Sequence, residues 1–213
     1  MDGITRSILT FITSAVFFLL STFGINTGTE QPKYELIERI GNSVEIRRYA
    51  PRIAAEATID VTKSSNPRGE AFRIVAAYIF GANKGKKKID MTSPVEIKTT
   101  GVKIAMTAPV EVNKSERRLA MRFFMPTQYS REELPEPTDS RVRLVDIPPE
   151  TAAVLRFTGS TDDAAVSARA AELLKLLKGT NWKIEGRPTT FFYNPPWTIP
   201  FLRRNEIAVA VSK

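Results

Sequence analysis

The chain has 213 residues, 42% of them hydrophobic, and carries 31 Lys and Arg against 23 Asp and Glu, a net charge of +8. It contains no Cys and no His, which excludes disulfides, thiolate metal sites, cysteine nucleophiles and any Ser-His-Asp triad. The length suits one substantial domain or two small ones, and the basic balance favours anionic partners.

The first 25 residues stand apart. No residue from Ser7 to Thr29 is charged, and Ile8 to Ile25 is mostly apolar, with Arg6 before it and Glu30 after. About eighteen apolar residues suffice to cross a bilayer as a helix. Small residues near Thr22-Phe23-Gly24 fit a secretory cleavage site equally well. Residues 1–25 are therefore expected to be a signal peptide or a transmembrane anchor, placing the remainder outside the cytoplasm or on a membrane. Residues 26–32 form a polar linker.

Tyr34–Ile40, Gly41-Asn42 and Val44–Tyr49 read as a hairpin, and Ile53–Val61 as a further strand. Asn66-Pro67 supplies a helix cap followed by Pro at the first helical position. Phe72, Val75, Ala76, Ile79 and Phe80 follow at helical spacing, and Gly81 ends the element. Lys84-Gly85-Lys86-Lys87-Lys88 is the one tight basic cluster and reads as a solvated loop; no nucleic-acid module is recognisable. Asp90-Met91-Thr92-Ser93-Pro94-Val95-Glu96-Ile97 then recurs as Ala105-Met106-Thr107-Ala108-Pro109-Val110-Glu111-Val112. The simplest expectation is two adjacent antiparallel strands, each Pro at a strand start, edge or bulge. Leu119–Pro126 is another strand, and 128–140 a long surface connection.

A longer echo organises the second half. Val142, Pro149, Ala152 and Ala153 repeat Val44, Pro51, Ala54 and Ala55 at an offset of 98, and Gly179 repeats Gly81. A second helix starts at Thr161-Asp162-Asp163, with Val166, Ala170, Leu173, Leu174 and Leu177 as its apolar stripe. Strands follow at 182–185, 189–193 and 207–211, the last two separated by a Pro- and aromatic-rich segment. The expected fold is α+β: duplicated strand–strand–helix–strand units, 34–126 and 142–213, forming a distorted antiparallel β-barrel or sheet flanked by two helices.

These residues resemble the SOUL haem-binding family. The resemblance rests on Tyr34-Glu35, Val44–Tyr49, Phe72–Asn83, Ile89–Val95 with its repeat, Phe123–Pro126, Pro195-Pro196 and Arg203-Arg204-Asn205-Glu206, in family order over residues 33 to about 211. It implies non-enzymatic, non-covalent binding of haem or a related tetrapyrrole in a shallow apolar cleft between the first helix and the Pro-Pro loop. The matching cofactor-binding positions are Phe72, Val75, Ala76 and Ile79 on the helix and Pro196, Trp197 and Phe201 on the loop, with Arg68 and Arg73 as nearby cations. The stripe is core in any case, so the cleft needs only its outer edge exposed. Two features depart from the family pattern. No His is available as an axial ligand, and Trp197-Thr198-Ile199 is neutral where some members carry a basic residue.

Other readings compete. Met91 and Met106 read as core filling before thioether ligation, and Glu96 and Glu111 as solvent-facing or Lys-paired before an acid–base pair. Arg203-Arg204 with Glu206 suits an internal salt bridge at least as well as an anion site. Tyr34, Tyr49, Tyr78 and Tyr193 read as packing residues with bonded hydroxyls. Two alternative functions stand beside haem binding: a membrane-surface interaction module working through the basic loop, and a hydrolase using Glu and Tyr.

Overall fold

The computed structural model describes Thr22, residues 29–100 and residues 118–213. The expected anchor or signal segment, apart from Thr22, and the second copy of the doubled motif lie outside the described residues. In chain order the strands and helices are β1 Tyr34–Ile40, β2 Val44–Tyr49, β3 Arg52–Asp60, α1 Pro67–Ile79, β4 Val95–Thr100, β5 Arg118–Phe124, β6 Val142–Ile147, β7 Glu150–Phe157, α2 Asp163–Leu177, β8 Lys183–Ile184, β9 Thr189–Phe192 and β10 Asn205–Ser212. The fold is α+β, as expected.

Local chemistry sets the helix ends. The Asn66 Oδ1 accepts from the Gly69 N–H at 2.9 Å and Pro67 opens α1, while the Asp162 Oδ1 accepts from Ala165 N–H at 2.8 Å at the start of α2. Each cap satisfies an amide that has no partner within its helix. Gly81 and Gly179, at φ +110° and +81°, follow the two helices in a conformation that disfavours side chains.

The sheet order is β1-β2-β7-β10-β9-β4-β5-β3-β6, with β8 added to β10, and every pairing is antiparallel. The offset of 98 is written into its register. Arg52 pairs with Ile147, and 98 positions on Glu150 pairs with Tyr49; Ala57–Val142 likewise matches Leu155–Val44. The two halves, β2-β7-β10-β9 and β6-β3-β5-β4, therefore meet at β9 and β4 about a pseudo-two-fold axis. In space the first strand of each expected unit joins the other unit: β2 lies on β7 and β6 on β3. Along Val95–Ile97, within the first copy of the doubled motif, β4 has β5 on one edge and β9 on the other; the expected pairing of the two copies falls on residues outside the described ones. Pro94 precedes β4, at a strand start as expected.

Both helices lie on one face. There α1 packs with Ala55, Ala57, Met121 and Phe123 in one core cluster, and α2 packs with Ala153, Leu155, Ile207 and Val209 in a second. The opposite face folds on itself. Tyr49, Ala54, Phe124, Ile147, Val154, Phe191, Tyr193 and Ala208 form a third cluster drawn from strands on both flanks of the sheet. Arg52 of β3 and Glu150 of β7, with four strands between them in the sheet, are ion-paired there. This contact joins residues that correspond at the offset of 98, so it lies on the pseudo-two-fold axis and closes the curl. The result is a half-barrel.

Leu173, fully buried in the second cluster, tests that packing against the exposed Leu176 three positions on. Leu173→Ala is expected to cost about 2–5 kcal/mol in denaturant unfolding, while Leu176→Ala stays within about 0.5 kcal/mol.

Candidate functional site between the helices

The helices sit on opposite halves and leave the central strands between them. One row of cross-strand partners runs along the helix face: Phe157, Asn205, Phe192, Val95, Phe123 and Ala55. Its outer members are buried, but Phe192 and Val95, on the two central strands, remain half-buried. From α1 the Phe72 ring, 41% exposed, meets Phe123 edge-on at 5.3 Å between centroids. The result is a shallow apolar strip with aromatic side walls. Asn205, 2% exposed, adds a polar atom at its end, because its Nδ2 has no hydrogen-bond partner among the described residues.

The β9–β10 loop reaches this area through the turn before α2. The Gly159 N–H donates to Pro200 O at 2.9 Å, and Arg68 Nη1 donates to Thr161 O at 2.9 Å while Nη2 reaches Asp163 at 2.7 Å. The start of α1, the start of α2 and the Pro-rich loop thus share one segment, 159–163. Beside them Trp197 and Phe201 are 51% and 70% exposed, and Pro196 is exposed.

The expected binding residues therefore separate into two groups. Phe72, Arg73, Pro196, Trp197 and Phe201 are on the surface. Val75, Ala76 and Ile79 point from α1 into the core, at 0%, 7% and 0% exposure, and have no surface to offer a ligand. Helical spacing put them on the same stripe as Phe72, but the stripe is wide enough that only its edge leaves the sheet. Arg68 is occupied by Thr161 and Asp163, whereas Arg73 is exposed and makes no ion pair among the described residues. Val95, Phe192 and Asn205 are additions. Their pairing across β4, β9 and β10 brings them together, and nothing in linear spacing reveals that register.

The loop is held by a buried charge network. Glu206, 1% exposed, accepts from Arg47 Nη1 at 2.9 Å, Arg47 Nη2 at 3.2 Å, Arg204 Nη2 at 2.7 Å and the Tyr193 hydroxyl at 2.7 Å. Arg203 holds the loop itself, donating to Thr198 O and Pro196 O. The internal salt-bridge reading of Arg203-Arg204-Asn205-Glu206 is thus borne out. Burial is the largest single influence and raises the carboxyl pKa, but the Arg47 and Arg204 charges and the hydrogen bonds from Arg47 and Tyr193 together outweigh it, and Glu206 is held below the ordinary carboxylate value. Burial pushes the Tyr193 hydroxyl up. Tyr49 accepts from Arg47, and Tyr78 donates to Pro135 O with its pKa pushed up to about 12 by burial. Tyr34 stands out from this pattern, since it is exposed and packs its ring on Tyr49 and under the Arg47 guanidinium.

Among the described residues the remaining candidates are held in ion pairs or packing contacts. Glu96 is buried, not solvent-facing, and pairs with Lys98 at 3.2 Å and Arg122 at 3.6 Å. Glu111 and Met106 lie outside the described residues. Met91 is 36% exposed, so it does not fill the core as expected, although Thr92, Ser93 and Pro94 after it are buried. Of the basic loop, Lys84 pairs with Glu136 and Lys87 lies 4.4 Å from the Tyr129 ring. Among the described residues no acidic cluster is arranged to hold a metal ion.

Because Glu206 is depressed in the folded state, its contribution is present above the unfolded carboxyl pKa of about 4.3 and lost as pH falls below it. Glu206→Gln leaves Arg47 buried without its counter-charge and is expected to cost about 3–5 kcal/mol at pH 7. The gap to the parent protein should narrow as pH drops through 4, measured by urea unfolding across pH.

Comparison with known proteins agrees with this architecture. The family model described as "SOUL heme-binding protein" matches residues 29–210. No curated protein sequence matches the chain. Among solved structures, the EcmrR C-terminal domain superposes with a TM-score of 0.54 at 12% identity, covering 84% of this chain and 98% of that one. An uncharacterized conserved protein from Listeria innocua gives 0.54 at 11% identity, with 87% and 94% covered. A protein from the same organism described as a hydrolase gives 0.52 at 12% identity, with 88% and 94% covered. At these identities the structural likeness establishes the fold alone. The match over residues 29–210 spans most of the sequence, and the chain belongs to the SOUL haem-binding family.

Proposed function

We propose that the protein binds haem or a related tetrapyrrole, without catalysing a reaction, on the strip between the helices, for carriage or buffering. The observation that carries the reading is the half-buried pair Val95 and Phe192 on the floor, with Phe72 exposed beside it, in a member of a haem-binding family. A flat macrocycle suits a shallow apolar strip because its face offers area without depth. Arg73, exposed one residue after Phe72, would meet a propionate at the rim, and the exposed loop aromatics Trp197 and Phe201 would cover the ring from the loop side.

The chain can supply no His, so no His–iron bond contributes and the ring face must provide most of the affinity. The cofactor would bring its own iron chemistry; these residues would bind and orient the ring and keep water from its face. Among the described residues no helix is long and apolar enough to cross a membrane. The apolar run Ile8–Ile25 lies outside that range apart from Thr22, and we propose it as the signal or anchor that places the domain outside the cytoplasm. Mass analysis of the mature N-terminus in the native host tests this; a chain that keeps residues 1–25 and fractionates without membrane would overturn it.

Haemin titration followed by the Soret band and Trp fluorescence tests the binding. Metal-free protoporphyrin IX is expected to bind within about threefold of haemin, since the ring face and not the iron carries affinity. Phe72→Asp should weaken both at least tenfold with little change in folding, because the ring is already 41% exposed. Tight haemin binding without protoporphyrin binding would instead demonstrate an iron ligand, and no binding of either would remove the proposal.

A further inference from the structure

The inner face of the half-barrel contains space that the helix-side strip does not explain. Arg52 lines a cavity of about 470 Å³ and Glu150 lines a second of about 210 Å³, so their ion pair is shared between the two. The larger cavity is within the range of small-molecule sites. Its walls are apolar over Pro51, Ile53, Phe124, Met125, Ile147 and Pro148.

One cation serves this cavity. The Arg52 side chain is 9% exposed, and its guanidinium carbon lies 4.5 Å from the centre of the Tyr49 ring and 4.9 Å from that of Phe124. Aromatic contacts on the guanidinium fix its position before any ligand arrives. One Nη donates to Glu150, but Nε is buried with no acceptor among the described residues. A buried donor left unpaired is destabilising, and natural structures rarely retain one without a use. The carboxylates that face the cavity do not relieve it. Glu30 accepts from the Thr127 N–H at 3.0 Å, and Asp146 is 72% exposed with Arg131 at 3.9 Å.

We infer that this cavity binds a small planar apolar monocarboxylate. Its carboxylate accepts from Arg52, sharing the guanidinium with Glu150, and its ring lies against Phe124, Met125 and Ile147. A ligand carboxylate offers the exposed edge of the guanidinium a charge-assisted acceptor, which neither a neutral nor a cationic molecule of the same shape does. The site is separate from the strip between the helices, on the other face of the sheet.

Isothermal titration of the full chain in lipid nanodiscs with 2-naphthoate, 2-naphthamide and 2-naphthylmethylammonium, each corrected against empty nanodiscs, tests the assignment. Naphthoate is expected to bind at least tenfold more tightly than either isostere. Arg52→Met should remove that preference, and Thr127→Trp, at an exposed position on the cavity wall, should block binding while leaving the unfolding midpoint unchanged. Saturating haemin should leave naphthoate affinity unaltered, which keeps this site distinct from the haem proposal whichever way that one resolves. Equal binding of all three probes, binding that survives both substitutions, or displacement by haemin would overturn the inference.

Discussion

The fold depends on placing a carboxylate in its interior and surrounding it with donors. Glu206 is almost fully buried, and a lone charge there would be prohibitive. Arg47 comes from β2, Tyr193 from the end of β9, and Arg204 from the loop that feeds β10. One acid thus joins three strands and fixes where the Pro-rich loop re-enters the sheet. The arrangement specifies more than it stabilises, because a buried pair recovers little beyond its desolvation cost. It determines where Trp197 and Phe201 are presented, so the geometry of the outer site rests on an interaction inside the barrel.

The pseudo-two-fold axis gives the sheet two different centres. On the helix face it passes between β9 and β4, where the helices leave a gap and the floor is half-buried. Near it Arg68 and Asp163 tie the two helix starts together. On the inner face it passes through Arg52 and Glu150, which close the curl. Symmetry sets both surfaces on one line: the helices lie to either side of the axis and leave the β4–β9 pair between them on one face, and Arg52 meets Glu150 on the other. Sites on that line need no dedicated insertions, only side chains that decline to fill the gap. Phe72, standing at the edge of α1, and Nε of Arg52, left without an acceptor among the described residues, are such side chains.

Much of this was legible in linear order. Strand alternation, the Asn66-Pro67 and Asp162 caps and the 98-residue echo locate most elements, because each depends on neighbours close in sequence. Register across the sheet was not legible. The first copy of the doubled motif does not reveal that β4 takes β5 and β9 as its neighbours, partners 23 and 94 positions away at their first residues. The swap of β2 and β6 between halves is equally invisible, since both strands fit either half by pattern. For the site, spacing found Phe72 and the loop aromatics but could not tell the exposed edge of the α1 stripe from its buried centre. Val95 and Phe192 needed the register itself.

The absence of His shapes what the helix-side strip can do. With an axial His, a haem protein can place most of its affinity in one bond and tolerate a poorly fitting pocket. Without it, affinity scales with the apolar area covered, and a shallow strip covers one face of a ring while leaving the other open. Such a site exchanges its ligand readily, because dissociation breaks no strong directional bond and needs no opening of the fold. That behaviour suits carriage or buffering better than storage or redox catalysis. It also makes the loop decisive, since Trp197 and Phe201 would cover the second edge. On the proposed reading, the Arg47–Glu206–Arg204 network that positions this loop bears on ligand lifetime as well as on folding.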